Sequence, residues 1–372
     1  MKYVRMALEV ESPEELGYGS IRYNLSESSI SDRRLGEFEA ALGSLTLLYG
    51  AHRGDPALCA LIAAQSGWSA IGAGDVLTTT GAAGALFIVA SALLRPDSHL
   101  VVVRPNYATN IETPRAIGCA ISYLDLDFDT EFRLDLGAVE AALRPNTAYI
   151  SLTCPHNPTG RMLPWEDLER IGRIAARHGC RVLVDETYRD LAYAEPYPCA
   201  AGIGEQFISV SSVSKAYGMP GVRVGWLITR DRALQTLFLA AKEQIGICGS
   251  VVDEALALAA LREREGWLEK SRRRNREHLE TVRDWVAAET RIEWVPPQGG
   301  VVCFPRLKVA PGFSTERFYR ELLERHGTYV GPGHWFERPD LYMRIGFAWP
   351  TRAELARGLA GISAALDAQQ PR

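Results

Sequence analysis

Seven short runs rich in β-branched and other apolar residues, set among helical and loop patterns, occupy residues 75 to 230 and constrain the fold more than any other feature of the chain. They fall at 75–79, 99–104, 120–124, 148–152, 181–185, 207–211 and 224–228. Between two of them, residues 165–178 repeat Leu168, Ile171, Ile174 and Ala175 at helical spacing. Strands that are apolar without alternation are buried on both faces, as in a mostly parallel sheet covered by helices. The expected architecture is therefore α/β, with a mostly parallel seven-stranded sheet. Ligands of such folds lie in loops at the carboxyl ends of the strands.

After Gly249 the spacing predicts one long helix through LALAALREREGWLEKSRRRNREHL, with Arg272, Arg273, Arg274 and Arg276 on a solvated face. The breaker Pro296-Pro297-Gln298-Gly299-Gly300 ends that region, a strand follows at 301–305, and 315–367 reads as a smaller α+β unit. The expected organisation is an N-terminal segment, 1–44, that joins the small domain; a large domain, 45–255; and a C-terminal small domain, 256–372.

Composition narrows the function. A chain of 372 residues with 47% hydrophobic content can bury a large core and is not disordered. Its richest apolar stretch, 81–94, is too short to span a bilayer and stops at Arg95-Pro96, so no membrane is expected. The start, MKYVRMALEVESPEE, lacks the apolar run of a signal peptide. A net charge of −4 disfavours non-specific nucleic-acid binding and leaves a small molecule as the expected partner. Seven scattered cysteines without a CxxC read as reduced thiols in a cytoplasmic protein, and no His/Cys spacing suits a metal. Lysine is scarce. Chemistry that needs an amine must use Lys2, Lys215, Lys242, Lys270 or Lys308.

Three segments end strands on what would be one edge of the sheet. In Ser211-Ser212-Val213-Ser214-Lys215-Ala216-Tyr217-Gly218-Met219-Pro220-Gly221-Val222-Arg223, a lysine is flanked by hydroxyls and glycines; serines and Arg223 could hold a phosphate, although a surface loop has the same composition. Cys154-Pro155-His156-Asn157-Pro158-Thr159-Gly160 follows another strand, and Asp185-Glu186-Thr187-Tyr188 ends a third. A carboxylate at the end of an apolar strand is costly to bury unless it meets a cation. Thr80-Gly81-Ala82-Ala83-Gly84 is a small-residue turn into a helix, where bare N–H groups favour an anion, though close helix–sheet packing also asks for small residues.

Together, SVSKAYGMPGVRVG, HNPTG and DETY resemble the pyridoxal-5′-phosphate (PLP) enzymes of the aspartate aminotransferase fold, the class I and II aminotransferases, over about residues 24–366. The resemblance implies that Lys215 forms the Schiff base with PLP and that Asp185 partners the pyridine nitrogen. It implies that Asn157 and Tyr188 contact the cofactor's phenolic oxygen, and that Gly81, Ala82, Ala83, Ser212 and Arg223 form the phosphate cup. Tyr107, in RPNY, matches the aromatic that stacks on the ring, and Arg344, in YMRIGF, the arginine that grips the substrate α-carboxylate. Tyr49, in LYGAHRGDP, resembles the tyrosine that reaches the phosphate of the other subunit, which implies a homodimer with shared active sites.

The segment Asn24-Leu25-Ser26-Glu27-Ser28-Ser29-Ile30 departs from the family, which often places Gly and Pro there. Glu27 is a candidate for facing a cationic substrate side chain, with helix capping or solvation as the alternative. His334 is a candidate for the pocket wall or for ordinary surface hydrogen bonding. The function implied is transfer of an amino group from an L-amino acid to a 2-oxo acid. The rival is a PLP lyase, decarboxylase, or cyclase/oxidase acting on an arginine-like amino acid, because fold and cofactor do not choose among them.

Overall fold

The computed structural model describes residues 1–38, 40 and 42–369. The central sheet has seven strands: β1 (Val76–Thr80), β2 (His99–Arg104), β3 (Ala120–Asp125), β4 (Thr147–Thr153), β5 (Arg181–Asp185), β6 (Phe207–Ser212) and β7 (Val224–Ile228). Each end lies within one residue of the sequence expectation. The spatial order is β1-β7-β6-β5-β4-β2-β3. Pairing is parallel from β3 through β6, whereas β7 runs antiparallel to both β6 and β1. Two reversals cancel, so β1 ends on the same edge as β4, β5 and β6, and β7 begins there.

The strands are apolar throughout because both faces are covered. Val101, Ile150, Leu152, Val182 and Val184 face one core, completed by Leu168, Ile171 and Ala175 of helix α3 (Trp165–Arg177), which comes after α2 (Thr109–Ile117) in the chain. Their neighbours Leu100, Val102, Tyr149 and Leu183 face the other, under α1 (Gly81–Leu93) and α4 (Arg232–Gly246). The period-2 geometry of a strand sends successive side chains to opposite faces, and here both faces are dry.

The chain ends meet away from this sheet. Tyr23–Asn24 pairs in parallel with Thr328–Tyr329. Strands β8 (Val302–Cys303), β9 (Gly331–Pro332) and β10 (Met343–Gly346) form a small antiparallel sheet with β10 in the middle. The single long helix expected after Gly249 is two: α5 (Val251–Arg262) and α6 (Arg264–Ala288), joined at Glu263 with φ −101° and ψ 10°. No Gly or Pro marks the joint. The break follows from packing, since α5 lies on the helix Pro56–Ala64 and α6 on α7 (Arg352–Asp367). The basic run on α6 is also not uniformly solvated. Arg273 and Arg276 are exposed, but half-buried Arg272 donates to the Asp190 carbonyl at 2.8 Å and Arg274 to the Pro350 carbonyl at 2.8 Å. Among the described residues no helix is long and apolar enough to cross a membrane.

Candidate active site

A cavity of about 530 Å³ opens over the shared carboxyl edge of β1, β4, β5 and β6. One end is an anion cradle. Gly81 adopts φ +68°, and a side chain there would meet the Arg223 guanidinium at 2.6 Å. Gly225 in β7 lies beneath, where a Cβ would fall 2.3 Å from the Gly81 carbonyl carbon, so the turn rests directly on the strand. This close fit brings Ala82 and Ala83, in the first turn of α1, into the cavity wall beside Ser212, Ser214 and Arg223. Free N–H groups, helix dipole and guanidinium together suit a phosphate.

At the opposite side Asp185 is buried at the end of β5. Its Oδ1 accepts from the Thr187 amide at 3.1 Å and the Thr187 hydroxyl at 2.5 Å, while no donor among the described residues reaches Oδ2. Burial raises the Asp185 pKa, against the Thr187 hydrogen bonds and the Lys215 charge. The group is a buried anion in need of a cation, and a protonated ring nitrogen is such a partner. Lys215 follows β6, and its Nζ makes no hydrogen bond among the described residues. Burial lowers its pKa, with Glu27 pulling the other way.

Tyr107 lines the cavity from the loop after β2. Its amide donates to Asn106 Oδ1 at 2.8 Å, which also accepts from the Thr153 hydroxyl at 2.9 Å. Asn106 and Thr153 thus fix Tyr107 against β4, a role the sequence reading did not assign; adjacency to Tyr107 was the only signal for Asn106. His156 clamps the same loop, bonding Thr159 Oγ1 through Nδ1 at 2.7 Å and the Pro105 carbonyl through Nε2 at 2.9 Å. Burial pushes its pKa down to about 4, so it is a neutral ring with the proton on Nε2.

Arg344 is 4% exposed. It donates through Nη1 to Asn157 Oδ1 at 3.2 Å and through Nη2 to the Ser26 carbonyl at 2.7 Å. Among the described residues its Nε has no acceptor, a buried vacancy costing about 1–3 kcal/mol that a carboxylate in the cavity would relieve. Tyr188 also lines the cavity, and its hydroxyl donates to the Ser28 carbonyl at 2.8 Å. Burial pushes its pKa up to about 12, with the Arg344 charge opposing.

Glu27 reaches the cavity because residues 24–28 run along β10, with the Gly346 amide donating to the Leu25 carbonyl at 2.7 Å. A Cβ at Gly346 would collide with the Glu27 carbonyl, which explains the glycine. Beyond Glu27, the wall includes Leu8, Glu9, Ser12, Pro13 and Glu14, around the one-turn helices Ala7–Val10 and Pro13–Leu16, which no motif marked. Two candidates lie outside this cavity. Tyr49 is 78% exposed and outside the cavity of its own chain. His334 is also outside it, bonded to Glu11 at 2.9 Å and Asp340 at 2.8 Å.

Residues 16–362 match the family model of aminotransferase class I and II, and the chain belongs to that family. It is 30% identical to a capreomycidine synthase from Streptomyces vinaceus over 93% of this chain and 90% of that protein. It is 29% identical to the arginine–pyruvate transaminase AruH of Pseudomonas aeruginosa over 72% of this chain and 68% of the relative. The solved PLP-dependent cyclase OrfR superposes with a TM-score of 0.89 at 27% identity, covering 100% of this chain and 99% of the other. The cofactor is therefore PLP, and the cavity fits it: an anion cradle, an unpaired buried carboxylate and a free amine in one space.

Proposed function

We propose that this enzyme transfers the α-amino group of an L-amino acid to a 2-oxo acid. The observation that carries the reading is the convergence of Lys215, Asp185 and Arg344 on one cavity. Bound PLP supplies an electron sink for the carbanion at the substrate Cα and holds the amino group between half-reactions. Arg344 grips the α-carboxylate with a planar fork, which fixes the Cα–H bond in space. Lys215 Nζ then takes the Cα proton; a lowered pKa leaves more of the amine uncharged and able to do so. Asp185 remains the buried anion at the ring nitrogen, and Asn157, which keeps its amide N–H₂ free of partners among the described residues, donates to the phenolic oxygen. Ser212, Arg223 and the amides of Ala82 and Ala83 hold the phosphate.

Mixing the holoenzyme with an amino acid and no acceptor tests this. One equivalent of oxo acid per site should be released while the visible absorbance moves to the near ultraviolet, and a 2-oxo acid should restore it. The likeness to a capreomycidine synthase and a cyclase favours a second reading, in which the amino acid is rearranged or cyclised on the same residues. Continued product formation without any 2-oxo acid would overturn transfer in favour of that reading.

The exposed run Leu47, Leu48 and Tyr49 supports a homodimer in which Tyr49 serves the partner's phosphate. Mixing Tyr49→Phe with Lys215→Ala chains should then raise activity above either parent, because one site of each hybrid carries neither defect.

A further inference from the structure

The N-terminal wall of the cavity presents three carboxylates, Glu9, Glu14 and Glu27. Among the described residues none of the three forms an ion pair, although neighbours on the same segment do: Glu15 meets Arg5 at 3.3 Å and Glu11 meets His334 at 2.9 Å. Glu27 is held in place, with Oε1 accepting from the Tyr18 hydroxyl at 3.3 Å, and Tyr18 stacks on Trp349. Among the described residues its Oε2 has no donor, and Glu14 has no hydrogen bond to its carboxylate. Burial raises the Glu27 pKa, the Lys215 charge opposes the rise, and the Glu14 charge adds to it, so the two carboxylates lie near each other.

The cations lining the cavity are Lys215, Arg223 and Arg344, and each already faces the cofactor or the α-carboxylate. Arg344 is itself anchored on the Ser26 carbonyl, one residue from Glu27, and its unpartnered buried Nε points to a carboxylate ligand in the same space. An amino acid held there by its carboxylate finds only negative charge on the N-terminal wall. A substrate side-chain carboxylate would be repelled, and a distal cation would fill the missing pairing.

We propose that the segment around residues 9–27 is a specificity element in which Glu14 and Glu27 bind the distal cation, guanidinium or ammonium, of a basic L-amino acid. This rests on the cavity being the amino-acid site and holds for either transfer or cyclisation. The test is equilibrium titration of the holoenzyme, read through cofactor absorbance, with L-arginine, L-lysine, L-glutamate and L-citrulline, the neutral near-isostere of arginine. Arginine or lysine should bind at least about tenfold more tightly than citrulline, and the tighter of the two identifies the cation. Glu14→Gln should cut that preference about tenfold and leave citrulline affinity and the unliganded spectrum unchanged; Glu27→Gln should act in the same direction. Equal affinity for citrulline and the basic amino acids, or a preference untouched by Glu14→Gln, overturns the inference alone. A spectrum that responds to no amino acid overturns the assignment of the cavity itself.

Discussion

Asp185, Ser212 and the Gly81 turn reach the cavity because β5, β6 and β1 end on one edge of one sheet. Glu14 and Glu27 reach it from the start of the chain and belong to no shared ladder with them. The floor is positioned by backbone pairing over strands of five to seven residues, whereas the wall has only a two-residue ladder at Tyr23–Asn24 and otherwise scattered contacts, several of them from side chains. The side-chain contacts include Tyr188 to the Ser28 carbonyl, Arg344 to the Ser26 carbonyl, Tyr329 to the Glu11 carbonyl, and Trp335 and His334 to the Glu11 carboxylate. A rigid floor suits chemistry that all substrates share, and a wall held by few bonds can change its side chains without disturbing that chemistry.

The floor can be broken most severely at Lys215. Lys215→Ala should reduce turnover on the order of 10⁴-fold, as expected for losing both the nucleophilic amine and the base. Borohydride should fix the cofactor to Lys215 in the native enzyme. Lys242 is the informative alternative, since it too is buried with a lowered pKa, but it donates to Thr78 Oγ1 at 3.2 Å beside Glu254 and lies outside the cavity. A label on Lys242 would remove the floor's central residue. Asp185→Asn comes next. It keeps the shape and removes the charge, and should slow exchange of the Cα proton roughly 10²–10⁴-fold, read by deuterium incorporation from solvent.

Gly225→Ala attacks the floor without touching a polar group. Its Cβ would overlap the Gly81 backbone, which cannot rotate away as a side chain could. The expected cost is about 1–3 kcal/mol in unfolding free energy, with weaker cofactor retention. Gly221→Ala, exposed and with nothing within 4 Å of the new methyl, is the control and should be neutral. Equal effects of the two substitutions would show that the β1–α1 turn is not held by its contact with β7.

The difference between floor and wall also decides what could be read from the chain. Runs rich in apolar residues betrayed all seven strands, and Asn157, Asp185 and Lys215 were legible because each ends such a run or follows it within a few residues. Glu27 was legible only as an acidic residue in an unusual segment. Glu14 was not, since two one-turn helices carry no periodicity and their placement depends on Tyr329 and Trp335, more than 300 residues away. The joint at Glu263 was hidden for a related reason: helix propensity runs through it, and only the change of packing partner breaks it. The Tyr188 side chain lines the cavity, and the donation of its hydroxyl to the Ser28 carbonyl depends on the same long-range docking and carried no sequence signal.

The smallest effect expected separates the wall from the floor by pH. Burial tends to lower the His334 pKa, but hydrogen bonds to Glu11 and Asp340 outweigh it and the net shift is upward from the ordinary value of about 6.5. Protonated His334 therefore holds Glu11 most firmly below that ordinary value, and the contribution is lost as pH rises through the raised one. With the ring and the Glu11 side chain each 41% exposed, the pair is worth less than about 1 kcal/mol. The Trp335 indole and the Tyr329 hydroxyl, which donate to Glu11 at 2.7 and 2.6 Å, do not titrate in this range, so the segment should loosen without detaching. Hydrogen exchange of residues 7–16 should accelerate above the intrinsic pH dependence as the imidazole deprotonates, while the amides of β5 and β6 keep their protection. His334→Gln should flatten that excess. An identical excess in His334→Gln would place the pH sensitivity of the wall elsewhere, with Glu27, whose pKa burial raises, the next group to test.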